Sequence, residues 1–157
     1  METATFAAGC FWGVEAAFRQ VLGVGATAVG YTGGTHDDPS YEDVCTGKTE
    51  HAEVVQVQFD PQRVTYGQLL DVFWQCHDPT TLNRQGPDVG TQYRSAIFYH
   101  SPQQHEAAQA SKAALDNSGR HERSIVTQIT QAPRFYLAED YHQQYLEKRG
   151  LAQCRIP

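Results

Sequence analysis

A cysteine stands where the first 22 residues change from a strand pattern to a helix pattern. Residues 3–8 are apolar and partly β-branched, which predicts a short strand. Apolar residues then recur at spacings of three and four over 14–22, the pattern of a helix that ends at Gly23. The motif Gly9-Cys10-Phe11-Trp12-Gly13 joins the two segments. We therefore expect Cys10 in a strand-to-helix turn at the start of the helix.

This position predicts a reactive thiol. The unpaired N–H groups and the positive end of the dipole at a helix N-terminus favour a thiolate over a thiol. A small buried structural residue is the alternative, because free cysteines often fill core sites. Phe11 and Trp12 cannot both point into the core if the helix begins at Cys10. One of these rings is therefore expected to line a surface pocket beside the sulfur.

Composition limits the function classes. The chain has 157 residues, 40% of them hydrophobic and 19% charged, which is typical of one globular domain. A net charge of -6 without any Lys/Arg run argues against nucleic acid and anionic membranes as partners. Neither a membrane span of about 20 apolar residues nor a signal peptide is visible, so we expect a cytoplasmic protein.

The cysteines are spread too widely for a zinc site. Cys10, Cys45, Cys76 and Cys154 form no CxxC pair, so metal binding is not expected. In the cytoplasm they would be reduced thiols rather than a structural disulfide framework.

The rest of the chain predicts an α/β (α+β) fold, a two-layer sandwich of a mixed sheet with helices. Strand patterns fall at 24–34, 52–59, 93–99 and 125–129, and helix patterns at 66–75, 103–117 and 139–146. In the 103–117 helix, the residues expected to face inward are Ala107, Ala110, Ala114 and Leu115. A doubly wound nucleotide fold is disfavoured, because no glycine-rich phosphate loop follows the first strand.

Two features of the pattern bear on function. The stretch 81–92 is long and irregular, and such loops are often functional. Glu53 enters the 52–59 strand, where Val55, Val57 and Phe59 share one face. From this pattern alone, Glu53 would be a solvated carboxylate at a strand end.

The motif at 9–13 resembles the signature of the A-type peptide methionine sulfoxide reductases, enzymes that reduce the S epimer of methionine sulfoxide. Further segments resemble that family in its own order and cover nearly the whole chain: Gly30-Tyr31-Thr32-Gly33-Gly34, Tyr41, His51-Ala52-Glu53-Val54-Val55, His77-Asp78-Pro79-Thr80, Asp88, Gly90-Thr91-Gln92-Tyr93-Arg94-Ser95, Ala138-Glu139-Asp140 and His142-Gln143. The resemblance implies a ferredoxin-like two-layer core and peptide-methionine (S)-S-oxide reductase activity.

The resemblance also implies a role for each matched residue. A sulfoxide needs a nucleophile at sulfur and an acid at oxygen. By this match, Cys10 attacks the sulfur, and Glu53 is the acid, with a raised pKa. The phenols of Tyr41 and Tyr93 hold the oxygen.

Three further residues are implied to bind the substrate. Phe11 and Trp12 form the apolar wall for the ε-methyl group, and Asp88 has a positioning role. Substrates would be oxidised proteins or peptides and free methionine sulfoxide.

The same resemblance implies how the enzyme is regenerated. A sulfenic acid on Cys10 would condense with the resolving thiol of Cys154, carried on a mobile tail at 150–157. A dithiol partner such as thioredoxin would then reduce the Cys10–Cys154 disulfide, with no bound cofactor. Some relatives carry two C-terminal cysteines, whereas this tail carries one, which implies a single relay step. Cys45 is interpreted as a small core residue, and Cys76 has no assigned role.

Two other functions would use a reactive cysteine. A thiol peroxidase would turn over peroxide and not sulfoxide, and it needs no aromatic methyl pocket. A non-catalytic redox sensor would oxidise at Cys10 without releasing methionine. For any of these functions we expect a monomer with a single domain at 1–157.

Overall fold

A six-stranded mixed sheet forms the centre of the molecule, in a computed structural model that describes residues 1–150. Strands run over β1 (Glu2–Ala8), β2 (Val24–Thr32), β3 (Ala52–Phe59), β4 (Arg84–Gln85), β5 (Asp88–Val89), β6 (Ser95–Tyr99), β7 (Gln128–Gln131) and β8 (Tyr136–Leu137). Helices run over α1 (Phe11–Arg19), α2 (Tyr41–Cys45), α3 (Tyr66–Gln75), α4 (Pro102–Asn117) and α5 (Tyr145–Lys148).

The strand order confirms the predicted fold class. The sheet reads β7-β6-β1-β3-β2-β8, and β4 and β5 form a separate hairpin. In the run β6, β1, β3 and β2 each strand is antiparallel to its neighbour, whereas β7 runs parallel to β6. With α1 after β1 and α3 after β3, this is the split βαβ arrangement of a ferredoxin-like core.

The core follows from the two-residue period of the strands and the stripes of the helices. Val55, Val57 and Phe59 pack on the face covered by α1 and α3, as their spacing predicts. A smaller cluster lies apart from this core and joins Ala52 and Val54 of β3 to Phe98 of β6. Strand β3 is thus largely buried on both faces, including the face that the sequence predicts to be polar.

Some elements differ from the sequence prediction. In α4, Ala110 and Ala114 are exposed, and the inward stripe is Gln104, Ala107, Ala108, Ser111 and Leu115. Helix α2 was not predicted, although Ser40 and Asp43 form a capping box there. Strand β7 begins three residues later than the pattern at 125–129. Within 81–92, the hairpin β4–β5 replaces part of the expected irregular loop.

The end of the chain is described only as far as Gly150, which has a φ of 71°. The predicted mobile tail at 150–157 therefore falls almost entirely outside the described residues. The single domain over 1–157 stays a prediction. Between residues 1 and 150, no helix is long and apolar enough to cross a membrane.

Candidate active site

Cys10 lies at the N-cap of α1, as the pattern at 3–22 predicts. The N–H groups of Trp12 and Gly13 lie near its sulfur and favour the ionised form. Gly9, with a φ of 95°, makes the tight turn between β1 and α1. A Cβ at position 9 would lie 2.8 Å from Cγ of Gln85, so the turn also needs glycine for packing.

The protonation state of Cys10 differs from the expectation. Burial and the nearby Glu53 carboxylate raise the pKa of the thiol to about 12, although the N–H groups of Trp12 and Gly13 act in the opposite direction. Desolvation thus outweighs the helix N-terminus, and the prediction of a resting thiolate is wrong. Cys10 is a neutral thiol whose ionisation depends on the charge of Glu53.

Glu53 is buried, with 1% of its surface exposed, which excludes the interpretation as a solvated strand end. Its Oε1 accepts a hydrogen bond of 3.1 Å from the N–H of Phe11, the residue after Cys10. Its Oε2 has no hydrogen-bond partner among residues 1–150. Burial raises the pKa of Glu53 to about 7, and the charge of Asp88 adds to the rise. A substantial fraction of this carboxyl is therefore neutral at neutral pH.

The two tyrosines reach this carboxyl from different segments. Tyr41 is the first residue of α2, and Tyr93 ends a 3-10 turn before β6. Burial, followed by the charge of Glu53, raises the pKa of Tyr93 to about 12. Burial and a hydrogen bond to Cys45 raise the pKa of Tyr41. Both phenols are therefore protonated hydrogen-bond donors at neutral pH.

The two aromatic residues after Cys10 have different surroundings. Phe11 is 1% exposed and packs against the rings of Tyr41 and His142. Trp12 is only partly buried. Its Nε1 donates to Nδ1 of His142 at 2.9 Å, and the ring of Tyr145 stacks on the indole at 3.8 Å. Trp12 thus presents a fixed apolar surface beside Cys10, and Phe11 supports the site from within.

Asp88 reaches the site through the β4–β5 hairpin. Its charge raises the pKa of both Cys10 and Glu53, which places all three groups within electrostatic range. The distant segments that carry the matched residues therefore converge around Cys10.

The other cysteines lie in different surroundings. Cys45 is exposed and hydrogen-bonds to the Tyr41 phenol, so its interpretation as a core residue is wrong. The reason is the periodicity of α2, which turns Val44 and not Cys45 inward. The sulfur of Cys76 donates to the carbonyl of Phe73 at 3.3 Å at the end of α3. Cys154 lies outside the described residues.

Sequence reasoning assigned no role to the segment 138–145, although it includes two of the matched stretches. His142 is 0% exposed, accepts from Trp12 and contacts Tyr41 through its ring. Glu139 accepts hydrogen bonds from the Tyr31 hydroxyl and from the Tyr41 N–H. The family resemblance at 138–140 and 142–143 marked these residues, but only the tertiary structure shows what they contact.

Within the described part of the chain, no group of three or more His, Cys, Asp or Glu side chains is arranged to hold a metal ion. A cavity of about 580 Å³ is lined by Arg94, Phe98 and Gln128 among others, and its lining includes none of the predicted site residues. We place the chemistry at Cys10 rather than in this cavity, because the raised pKa values of Cys10, Glu53 and Tyr93 arise in part from one another's charges or from that of Asp88.

Comparison with known proteins agrees with this geometry. The family described as peptide methionine sulfoxide reductase matches residues 2–157. The peptide methionine sulfoxide reductase MsrA of Methanoculleus marisnigri is 63% identical over 155 residues, which cover 99% of this chain and 94% of the relative.

Solved structures give the same result. Reduced Mxr1 from Saccharomyces cerevisiae superposes with a TM-score of 0.86 at 42% identity, covering 95% of this chain and 86% of that chain. Mxr1 in complex with Trx2 gives a TM-score of 0.62 at 29% identity, covering 92% and 84%. The chain therefore belongs to the peptide methionine sulfoxide reductase family and is an enzyme that reduces methionine sulfoxide to methionine.

Proposed function

We propose that Cys10 is the nucleophile and Glu53 the acid in the reduction of the S epimer of methionine sulfoxide, both peptide-bound and free. The observation that carries this assignment is the state of Glu53. One carboxyl oxygen is fixed by the N–H of Phe11, and the other has no partner among residues 1–150. A neutral carboxyl held in this way carries its proton on the free oxygen, from which it can donate to the sulfoxide.

Atoms and electrons balance in the first half-reaction. The sulfur of Cys10 attacks the sulfoxide sulfur while Glu53 protonates the oxygen. The S–O bond of the substrate breaks, methionine leaves as a thioether, and the oxygen ends on Cys10 as a sulfenic acid. Methionine sulfur gains two electrons and Cys10 loses two. Glu53 takes up the proton that the Cys10 thiol loses. This proton replaces the one that Glu53 gave to the oxygen, so the carboxyl returns to its neutral form.

Tyr41 and Tyr93 would stabilise the charge that develops on the oxygen. Burial keeps both phenols protonated near the Glu53 carboxyl. Donors fixed before the reaction stabilise such a transition state without reorganising. Asp88 would act indirectly, since its negative charge helps to keep Glu53 neutral.

Trp12 would provide the apolar contact for the ε-methyl group, with Phe11 behind it. The indole is fixed on two sides, by the hydrogen bond to His142 and the stacked ring of Tyr145. The preference for one epimer would follow from the placement of this wall relative to the acid and the phenols.

Cys154 would resolve the sulfenic acid. Its thiol attacks the Cys10 sulfur, water leaves, and a disulfide forms. Tyr145, nine residues before Cys154, stacks on Trp12, two residues after Cys10. An extended chain spans roughly 3.5 Å per residue, so the tether from Tyr145 is long enough to bring Cys154 to Cys10.

Thioredoxin would reduce the Cys10–Cys154 disulfide by thiol–disulfide exchange, which completes the cycle without a bound cofactor. The complex of the related Mxr1 with Trx2 supports this choice of dithiol. The net reaction converts the sulfoxide and a dithiol to the thioether, a disulfide and water. A cytoplasmic location and a monomeric state remain predictions.

Single-turnover reduction of the separate S and R epimers of a methionine sulfoxide peptide, followed by mass mapping, tests the proposal. We expect one methionine per enzyme from the S epimer only, together with a Cys10–Cys154 bridge. Cys154→Ser should still release one methionine but form no such bridge, and Cys10→Ser should release none. Equal reduction of the R epimer would overturn the stereochemical assignment, and methionine release by Cys10→Ser would overturn the nucleophile.

A further inference from the structure

The carboxylate of Glu139 has no task in the mechanism above, yet it joins three segments around the site. Its Oε1 accepts a hydrogen bond of 2.9 Å from the hydroxyl of Tyr31 in β2. Its Oε2 accepts one of 2.8 Å from the main-chain N–H of Tyr41 in α2. Glu139 itself precedes the 3-10 turn at 140–142. One side chain therefore links the sheet, the short helix and the C-terminal segment.

The two tyrosines that Glu139 holds both pack against Phe11. Tyr31 is 0% exposed, and its ring lies 5.7 Å from that of Phe11. The ring of Tyr41 lies 6.5 Å from that of Phe11. Because Tyr31 belongs to the rigid sheet, the carboxylate fixes the start of α2 relative to the wall that follows Cys10.

Helix α2 needs such an attachment. It has five residues, and only Val44 among them is fully buried. A helix this short has little stability of its own, so its position depends on tertiary contacts. The interaction of the Tyr41 phenol with Cys45 lies within the same helix, so it does not fix that helix to the sheet.

We propose that Glu139 is a positioning residue for sulfoxide reduction, which holds the backbone of Tyr41 so that its phenol reaches the sulfoxide oxygen. This inference rests on the proposed role of Tyr41 as an oxygen-binding donor. Glu139 does not contact the substrate, and it acts through the placement of Tyr41 alone. A misplacement of about 1 Å in a group that binds the reacting atoms can strongly lower a rate.

The chemistry of the carboxylate predicts which substitutions matter. Burial raises the pKa of Glu139, but hydrogen bonds from the N–H groups of Tyr41 and Glu139 and from Tyr31 outweigh it, and the net shift is downward. The group is thus an anion that accepts at both oxygens. Glu139→Gln keeps an oxygen for the Tyr41 N–H, while its amide can donate to the Tyr31 oxygen. Glu139→Ala removes both contacts.

The test measures the single-turnover rate at saturating S-sulfoxide peptide in Glu139→Ala, Glu139→Gln, Tyr41→Phe and the double variant Glu139→Ala/Tyr41→Phe. We expect Glu139→Ala to be about tenfold slower and Glu139→Gln to stay within about threefold of the wild type. In the Tyr41→Phe background, Glu139→Ala should cause no further loss, because the phenol that it positions is gone.

A matched control separates positioning from general damage. Glu147→Ala removes another carboxylate of the C-terminal segment, one that pairs with Arg19 at 3.1 Å on the surface. It should leave the rate unchanged, and thermal unfolding should show each Glu139 variant folded at the assay temperature. A tenfold loss from Glu139→Ala in both backgrounds, or none in the wild-type background, would overturn the inference. A Tyr41→Phe enzyme with the wild-type rate would instead overturn the role of Tyr41, and the inference with it.

Discussion

Two buried glutamates, Glu15 in α1 and Glu53 in β3, have the same exposure of 1% and opposite surroundings. The oxygens of Glu15 accept from the Thr27 hydroxyl at 2.7 Å and from the Gln144 N–H at 2.7 Å. Only one oxygen of Glu53 has a partner within residues 1–150. Burial alone therefore does not make a carboxyl reactive. What differs is whether hydrogen bonds replace the water that the anion has lost.

The neighbouring side chains also differ. Arg19 follows Glu15 by one helical turn and donates to the same Thr27 hydroxyl that donates to Glu15. Asp88 lies near Glu53 instead, and its charge raises the pKa of that carboxyl further. Glu15 is thus an anchor that ties α1 to the C-terminal segment, whereas Glu53 is held partly neutral for proton transfer.

The largest expected effect is on catalysis. Glu53→Gln removes the acid without changing its volume, so we expect the single-turnover rate with S-sulfoxide peptide to fall by about 10³. The matched variant Glu15→Gln should stay within about threefold of the wild type in the same assay. Similar losses in the two variants would break the distinction between an acid and an anchor.

The second effect is on stability and has the reverse pattern. Glu15→Gln places an amide donor against the Thr27 hydroxyl, whose oxygen already accepts from Arg19, so the bond to Thr27 is lost. We expect the free energy of unfolding, measured in urea at pH 7, to fall by about 3 kcal/mol. Glu53→Gln should not destabilise the protein under these conditions, and a comparable loss there would show that Glu53 is also structural.

The third effect is a pH dependence of stability, to which the raised pKa of Glu53 should contribute. The folded protein raises the pKa of Glu53 from 4.5 to about 7, so ionisation of this group opposes folding. This cost is absent below about pH 4.5, grows as pH rises, and is complete above about pH 7. Relative to the wild type, Glu53→Gln should therefore gain about 3 kcal/mol between pH 4 and pH 8 in thermal or urea unfolding. A difference independent of pH would contradict the raised pKa.

The long, periodic elements were predictable from sequence. The strand at 3–8 and the helix at 66–75 formed close to the expected bounds, and the helix that follows Cys10 formed but ends at Arg19, before the stop expected at Gly23. Their apolar spacing is a local signal that tertiary contacts reinforce. The short elements α2, β4, β5 and β8 were missed, because two to five residues carry too little local preference to form alone.

The residues of the candidate site likewise divide into those identified from the sequence and those found only in the structure. The residues around Cys10 were identified through the family resemblance, and the structure brings Cys10, Glu53, Tyr41 and Tyr93 together. The supporting residues His142 and Glu139 had no assigned role, since their partners are 98 to 130 residues away in the chain. The interpretation of Cys45 as a core residue failed because its side of α2 cannot be read from five residues.

Local sequence patterns were enough to predict the strand-to-helix turn that presents Cys10, the strand that carries Glu53 and the family of the enzyme. These features depend on local periodicity and on short motifs, which can be recognised without a structure. The folded chain was needed to show that Cys10 is a neutral thiol, and that Glu53 is partly neutral and has one oxygen without a hydrogen-bond partner among residues 1–150. A pKa is set by desolvation and by charges from distant segments, and both exist only once the chain has folded around the group.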